Sequence, residues 1–355
     1  MKTKHNTPLI KVKFLFFQGH NNKKNNNYEP LITLDKIKII APIESIRSLQ
    51  EEYFKVEIKN SEIVSYSFTQ NTPFLLYIEK DIEEQEAVFE FTGKILLDDY
   101  PMLISKDTFK KCLEHIGQME ICDMDFDCII NQGEVCKIDI TKDIPLDDCP
   151  KVSEYLRTHL TNNKKYLSRS EAGNLIIEKN VKTKGCKRRL TLYDKQKEIN
   201  KACNRDFLSA LNDSNKLLDY FHGKARFELN LNSKEAIRKC LNIPEPTLYN
   251  VLESTDNPIL EFIEDVIQDD GQVSNCASLT ERKNLAFLRD CDMDIKKVDA
   301  EIRTYASKGT HISQALKPYR QLLDKLNNDG QSPSIKSNLC KLLAEVLIIV
   351  VMFSF

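Results

Sequence analysis

The sequence predicts an α+β protein with a largely antiparallel sheet. Two observations favour this class. Short runs rich in β-branched residues, separated by turn residues, recur over the first 245 residues or so. From Thr247 onward, apolar residues recur instead at helical spacing. The change falls at Pro244 and Pro246, so we expect a sheet-based region followed by a mostly helical one.

The first region contains the predicted strands and their connecting helices. Alternation of apolar and polar residues predicts strands over three ranges, Leu31–Ile40, Phe54–Phe68 and Phe74–Phe91. Apolar residues at helical spacing predict a helix over Ser105–Gly117, with Ser105 as its cap. Two β-rich runs on either side of Asn131-Gln132-Gly133 predict a hairpin, Ile121–Ile130 paired with Glu134–Thr141.

The same patterns continue towards the boundary. A helix is expected over Lys151–Leu160, and a second hairpin is expected to pair Leu175–Val181 with Arg188–Tyr193. The remaining predicted elements are a helix at Lys195–Cys203, a strand at Lys224–Leu231 and a Ser233-capped helix at Ser233–Leu241. Beyond Pro246 we predict five helices: Thr247–Glu253, Ile259–Ile267, Leu279–Arg289, Lys297–Tyr305 and Ser313–Leu326.

The predicted elements divide the chain into four segments. They are a flexible N-terminal segment (1–30), an α+β domain (31–245), a helical region (246–345) and an apolar tail (346–355). The tail is far shorter than the ~20 residues that cross a bilayer. A buried final element, an oligomer contact and an abnormal end of the reading frame all stay open for it.

Charge is unevenly distributed along the chain. The whole chain carries a formal net charge of -2, yet residues 151–240 hold 21 Lys/Arg against 10 Asp/Glu. A basic middle in an acidic chain fits a polyanion site. The alternative is that these lysines only solvate helix faces.

Cysteine usage and the termini favour the cytoplasm. The 11 cysteines include no Cys-x-x-Cys, which argues against a zinc knuckle or a thioredoxin-like motif. Free thiols in a reducing cytosol are the simplest interpretation. No signal-peptide pattern precedes the first predicted strand, and no membrane association is expected.

The first motif is KIDITKD, residues 137–143. On a strand, Lys137, Asp139 and Thr141 share one face, above Ile138 and Ile140 on the other. Just before it, Asp123, Asp125 and Asp127 repeat the alternation, and three carboxylates on one strand face favour a bound cation. A solvated sheet face is the alternative.

The second motif is RRLTLYDKQKEI, residues 188–199. A strand is expected to end at Tyr193 and a helix to begin near Asp194, which would cap it. Cations near the phenol favour phenolate, and helix N-termini bind phosphate, which suits a tyrosine that attacks a phosphodiester. The alternative is an interfacial Tyr whose ring lies in the core.

The third motif is KARFELNLN, residues 224–232. Alternation places Arg226, Glu228 and Asn230 on one face and apolar residues on the other. Glu228 is therefore a candidate metal ligand or arginine partner, and a structural ion pair is the alternative.

Together, these motifs resemble the gene II/X family of filamentous phage replication proteins and, more distantly, plasmid initiators of the Rep_trans type. In those families a Lys/Arg-Ile/Val-Asp strand, a Tyr-Asp/Asn/Ser-Lys segment and an Arg-x-Glu strand occur in this order. Here they are KIDITKD, LTLYDKQKE and ARFELNLNSKEAIR. The resemblance covers roughly residues 34–326 and is sharp over 121–241.

The resemblance implies a rolling-circle initiator that nicks and rejoins origin DNA through a 5′-phosphotyrosine, with Mg²⁺ or Mn²⁺ as cofactor. By motif match, Tyr193 would be the nucleophile, and Lys195 and Arg226 would neutralise transition-state charge. Asp139 and Glu228 would be metal ligands or other active-site carboxylates, and Asp125 and Asp127 are reserve candidates for Asp139. The expected DNA contacts are Lys182, Lys184, Lys187, Arg188 and Arg189.

Double-stranded origin DNA with a single-stranded region at the nick is the expected partner. A host helicase and polymerase are further candidates, and a homo-oligomer stays open. The chain departs from the better-known initiators that bind metal through His-hydrophobic-His, since no two of its six histidines have that spacing. Two other functions stay open: a non-catalytic nucleic-acid-binding regulator and a hydrolytic metal-dependent nuclease.

The helical region contains one more candidate for phosphate contact. It comprises Arg303–Thr310 and the Pro318-Tyr319-Arg320 segment, where Lys, Ser and Thr lie near a predicted helix junction. A plain loop is the alternative.

Overall fold

The computed structural model describes residues 32–146, 148–161, 165–171, 173–180, 188–268, 278–307, 311–328 and 335–344. Within these ranges the chain forms a ten-stranded antiparallel sheet and a small two-stranded sheet, followed by a mostly helical region. The predicted α+β class is confirmed.

Twelve strands are described, and all except the second and seventh belong to the large sheet. In chain order they are β1 (Leu34–Pro42), β2 (Ile46–Leu49), β3 (Lys55–Lys59), β4 (Glu62–Gln70), β5 (Leu76–Asp81), β6 (Glu86–Thr92), β7 (Cys122–Met124), β8 (Glu134–Pro145), β9 (Tyr166–Glu171), β10 (Asn174–Lys179), β11 (Arg188–Asp194) and β12 (Lys224–Leu231). Across the large sheet the order is β3-β4-β5-β6-β1-β8-β12-β11-β10-β9, so β8 and β12 lie side by side near its middle.

The helices follow the same numbering. They are α1 (Phe109–Gly117), α2 (Phe126–Gln132), α3 (Cys149–Thr158), α4 (Lys195–Ile199), α5 (Arg205–Ser209), α6 (Ser214–Phe221), α7 (Lys234–Cys240), α8 (Leu248–Leu252), α9 (Pro258–Val266), α10 (Leu279–Asp290), α11 (Ile295–Tyr305), α12 (Ile312–Asn328) and α13 (Ile335–Ala344). A run of 3₁₀ turns, Gly93–Met102, connects β6 to α1 and is broken at Leu97, where φ is positive.

The two faces of the large sheet are covered differently. One face carries the alternating apolar residues of the strands, and α1, α7, α8, α9 and α13 pack on it to form the main core. The other face is polar around β8, β11 and β12. A second apolar cluster, from the 3₁₀ turns and α4–α6, lies on that side and is called here the cover: Tyr100, Leu103, Ile199, Phe207, Leu217 and Phe221.

A third apolar cluster belongs to the helical region. Leu285, Val298 and Leu322 are among its buried residues, and they come from α10, α11 and α12 respectively. By contrast, α8, α9 and α13 contribute to the main core although they follow Pro246. The division into domains at residue 246 stays a prediction.

Two local predictions are wrong. Residues 121–130 do not form one strand, because β7 ends at Met124 and α2 begins at Phe126. The helix expected from Ser105 begins only at Phe109, and the hydroxyl of Thr108 is used to donate to the carbonyl of Leu103. No described helix is long and apolar enough to cross a membrane.

Candidate active site

Strand register brings the three motifs together on the polar face. Tyr193 of β11 lies opposite Arg226 of β12, which lies opposite Asp143 of β8. Two residues further along β12, Glu228 lies between Thr191 and Thr141. Cross-strand partners share a face, so segments far apart in sequence place their polar side chains on one patch of the sheet.

The hydroxyl of Tyr193 donates a hydrogen bond to Oε1 of Glu228 over 2.5 Å. Tyr193 is only 7% exposed, whereas the side chain of Glu228 is 20% exposed. The phenol is therefore buried and is held by one carboxylate that is itself partly exposed. This pairs the tyrosine that the motifs predict as nucleophile with an acceptor for its proton.

The local field does not favour phenolate, and that prediction is wrong. Burial raises the pKa of Tyr193 well above its ordinary value, and the negative charge of Glu228 raises it further. The charge of Arg226 acts in the opposite direction but does not overcome these two effects. The sequence showed the flanking cations but not the depth of burial.

Arg226 is fully buried and its guanidinium is extensively bonded. Its Nε and Nη2 donate to the two carboxylate oxygens of Asp143 over 2.7 and 2.8 Å. Its Nη1 donates to Asp35 over 2.9 Å and to the hydroxyl of Tyr100 over 2.6 Å. The geometry makes Arg226 a link between β8, β1 and the cover, and its direct role towards phosphate stays a prediction.

Lys195 occupies the first position of α4. Asp194 ends β11 and accepts a hydrogen bond from the backbone N–H of Lys197, so the predicted strand-to-helix junction with an Asp cap is confirmed. The ammonium of Lys195 donates to Glu198 over 2.6 Å and to the hydroxyl of Tyr100 over 3.0 Å. It also lies 5.5 Å from the ring centroid of Tyr193.

Burial changes the chemistry of Lys195 as well. The residue is 1% exposed, and burial followed by the charge of Arg226 lowers the pKa of its ammonium. The carboxylate of Glu198 opposes this shift. Lys195 is therefore a paired internal cation next to Tyr193.

The negative charge of Asp35 acts on the carboxylate of Glu228. Burial and the charge of Asp35 raise the pKa of Glu228 to about 7, against the opposing effects of Arg226 and Lys195. Burial alone would raise the pKa of Asp35, but Arg226 and Lys195 hold it below its ordinary value. Of the pair, Glu228 is therefore the carboxylate that accepts a proton near neutral pH.

Asp139 lies two residues from Thr141 along β8, on the same face of the sheet as Glu228. It faces Asn230 across β8 and β12 and accepts a hydrogen bond from the amide of Asn230. Burial raises the pKa of Asp139, and the charge of Asp35 adds to the shift. Asp35 is thus close enough to act on both predicted metal ligands, Asp139 and Glu228.

Asp125, a reserve metal ligand predicted from the sequence, has a structural role at the start of α2. It caps α2 through the backbone N–H of Cys128 and pairs with Arg47 over 2.7 Å. The strand face that was expected to align Asp123, Asp125 and Asp127 does not exist, because the helix begins between them. The structure does not bring Asp125 to the patch around Glu228.

The predicted DNA contacts are only partly described. Lys182, Lys184 and Lys187 lie outside the described residues. Arg189 is exposed, and it alternates with Thr191 and Tyr193 on the polar face, whereas Arg188 points to the opposite face, where its charge acts on Glu261. The two adjacent arginines therefore lie on opposite faces of the sheet.

Sequence reasoning missed four residues of the site: Asp35, Tyr100, Asp143 and Glu198. Asp143 continues the alternation of Asp139 and Thr141, and Glu198 follows Lys195 at helical i,i+3 spacing, so both had a local signal. Asp35 and Tyr100 come from β1 and the 3₁₀ turns, and no local pattern links them to the three motifs.

Across the described residues, no three His, Cys, Asp or Glu side chains are grouped so that they could hold a metal ion. Mg²⁺ is, however, often held by one or two carboxylates together with substrate phosphates. Asp35 and Glu228 repel each other, as the raised pKa of Glu228 reflects, and both side chains reach solvent. The residues present fit a hard cation shared with a bound phosphate.

Residues 98–248 match the family of N-terminal regions of the replication-associated gene II protein. These residues are similar to that family. The predicted family is confirmed over this range, which contains all three motifs and Tyr100 but not Asp35.

Comparisons with individual proteins add little to the family match. Among solved structures, a rolling circle replication initiator protein from Geobacillus stearothermophilus is 10% identical, with 84% of this chain and 96% of that chain covered and a TM-score of 0.30. A superposition at that TM-score supports no inference. No curated protein matches the chain.

Proposed function

We propose that the chain is a rolling-circle replication initiator that nicks and rejoins one strand of its origin through Tyr193. The observation that carries the proposal is the hydrogen bond from the Tyr193 hydroxyl to Glu228 beside the buried cation of Lys195. The similarity of residues 98–248 to a family of replication-associated proteins supports origin DNA as the substrate of this pair.

Glu228 acts as the general base. In the metal-free protein its pKa of about 7 lies near the pH at which a base both exists as carboxylate and holds a proton well. As the phenol oxygen attacks phosphorus, its proton passes to Oε1 of Glu228. The bond from phosphorus to O3′ breaks, O3′ takes up a proton, and the 5′ phosphate stays on Tyr193. Rejoining reverses these steps.

Mg²⁺ or Mn²⁺ would be held by Asp35 and Glu228, with Asp139 as a third candidate. When bound, it would polarise the phosphate. Arg226 positions Asp35 and Asp143, and Lys195 places a positive charge next to the nucleophile. DNA approaches from the side of Asp35 and Glu228, whose side chains are 19% and 20% exposed, since the cover closes the other side.

The test is a covalent adduct. Supercoiled plasmid with the replicon's own origin is incubated with the protein and Mg²⁺, and the adduct is digested with trypsin. Tyr193 and its competitors in the basic middle of the chain, Tyr155, Tyr166 and Tyr220, fall in different tryptic peptides. Each peptide has a single tyrosine: Leu190–Lys195, Val152–Arg157, Tyr166–Arg169 and Leu217–Lys224. We expect DNA on the peptide Leu190–Lys195.

Tyr193→Phe is expected to fold, to bind origin DNA and to lose both nicking and the adduct, because only the hydroxyl is removed. Tyr166→Phe is the matched control, since its hydroxyl bonds Asp265 away from the motifs and its loss should leave nicking unchanged. Nicking without any DNA-linked peptide would favour a hydrolytic nuclease. Origin binding without nicking by the unmodified protein would favour a non-catalytic regulator.

A further inference from the structure

The three-helix unit formed by α10, α11 and α12 has its own apolar core. Residues of all three helices are buried in it, and Phe287 of α10 packs against Tyr319 of α12 with ring centroids 5.5 Å apart. Residues 279–328 contain ten Lys/Arg and seven Asp/Glu, in a chain whose net charge is -2. The unit is therefore more basic than the chain as a whole.

Helix α12 divides cleanly into an inward and an outward face. Leu316, Leu322 and Leu326 are buried, and Ile312, Tyr319 and Leu323 pack beside them. The outward residues cover less than half of the helix circumference at 100° per residue. They are Ser313, Gln314, Lys317, Pro318, Arg320, Gln321 and Asp324, and all are exposed.

The chemistry of the outward face fits duplex DNA. Its two cations are Lys317 and Arg320, and its single anion, Asp324, lies towards the C-terminal end. Within the described ranges neither cation forms an ion pair, whereas Lys325, Arg303 and Lys297 of the same unit are each paired with a carboxylate. Gln and Arg are the side chains that bind adenine and guanine edges with two hydrogen bonds each.

The dimensions also fit. Seventeen residues at 1.5 Å each give a helix of about 25 Å, and the major groove of about 12 Å admits one helix. Gln314, Lys317 and Gln321 recur at i, i+3 and i+7, so they form one stripe along the helix. We propose that α12 reads base edges in the major groove of the origin duplex, separately from the nicking site.

This proposal extends the proposed function, because it assigns the choice of DNA sequence to a surface distinct from Tyr193. The test uses a library of duplexes of about 30 base pairs, roughly three helical turns, with a randomised centre. The unmodified protein is expected to enrich one consensus. Gln321→Ala and Gln314→Ala should each relax an adenine position, and Arg320→Ala a guanine position, while the rest of the consensus is kept.

Affinity is then measured on the selected duplex and on a scrambled one. Arg320→Ala should lose about tenfold on the selected duplex and much less on the scrambled one. Lys296→Ala on α11 is the matched control, an exposed cation of the same unit, and should leave the consensus unchanged. Thermal melting should be the same for all variants because the substituted residues are exposed.

Three outcomes would overturn the proposal: no consensus from the unmodified protein, an unchanged consensus in every α12 variant, or equal losses on both duplexes. The last would mean that α12 contacts only the backbone. Tyr193→Phe should select the same consensus as the unmodified protein, so failure of the nicking chemistry and failure of recognition give different results.

Discussion

The nicking site and the outward face of α12 both present cations to DNA in our proposals, but they hold them in opposite ways. Lys195 and Arg226 are buried and bonded to carboxylates and to Tyr100. Lys317 and Arg320 are exposed and free of ion pairs among the described residues. A buried cation changes the proton affinity of its neighbours, whereas an exposed one attracts phosphate at a distance.

The difference explains why charge along the sequence is a poor guide to DNA contact. Residues 151–240 hold 21 Lys/Arg against 10 Asp/Glu, yet some of these cations are buried and bonded inside the site. Burying a charge is costly unless it is paired, so such residues appear with partners from other strands. The following predictions test whether the contrast holds.

The largest expected effect comes from removing the buried guanidinium. Arg226→Met keeps much of the volume but leaves Asp143 and Asp35 without their partner. Breaking a buried pair in this way typically destabilises by about 3–5 kcal/mol. Arg320→Met, the matched exposed change, should stay within about 0.5 kcal/mol. Urea unfolding followed by circular dichroism measures the free energy of unfolding of both variants. A similar loss in the two variants would contradict the difference between buried and exposed cations.

The next effect concerns Glu228. Glu228→Gln keeps the shape of the side chain and should keep DNA binding, but it removes the acceptor for the Tyr193 proton. Loss of a general base typically slows a reaction by about 10²–10⁴-fold. Single-turnover nicking measures the rate, with the exposed carboxylate substitution Glu235→Gln as control. Normal nicking by Glu228→Gln would show that Glu228 is only a structural partner of Tyr193 and not the general base.

The same variant has a signature in stability. Below pH 4.5 Glu228 is protonated in both the folded and the unfolded state, so it does not make the free energy of unfolding depend on pH there. Because its folded pKa is raised to about 7, the folded state binds the proton more tightly, and stability should fall between pH 4.5 and 7 before levelling. Unfolding in chelator across this range should show a shallower fall for Glu228→Gln.

The smallest effect is expected from the lysines outside the described residues. Replacing Lys182, Lys184 and Lys187 with alanine should weaken binding to all sequences about equally. The slope of affinity against salt should fall by about one for each lost phosphate contact. The α12 variants should instead weaken mainly the selected duplex. An unchanged salt slope in the triple variant would place the phosphate contacts elsewhere.

The central strands and the junction at Asp194 were predictable because their signals are local. Alternation identified β8, β11 and β12, and a capping residue before helical spacing identified α4 and α7. The same local reading failed at Asp125, where alternating carboxylates looked like a strand although an Asp cap precedes Ile129 at helical spacing. Periodicity over so few residues fits both structures.

The composition of the site was only partly predictable. Arg226 and Glu228 could be placed on one face, but their bonds to Asp35, Tyr100 and Tyr193 depend on sheet order. Sheet order brings β1 next to β8 and the 3₁₀ turns over β12, and no short-range pattern encodes either contact. The raised pKa of Tyr193 follows from the same long-range packing.

Helix α13 constrains how shortened versions of the protein can be made. Leu339 and Leu343 are buried in the main core, behind the strand that carries Asp139 and Asp143. The carbonyl of Leu343 accepts hydrogen bonds from Lys142 of β8 and from Asn257 just before α9. A fragment that stops after α12 would uncover this part of the core, so expression boundaries belong beyond Ala344.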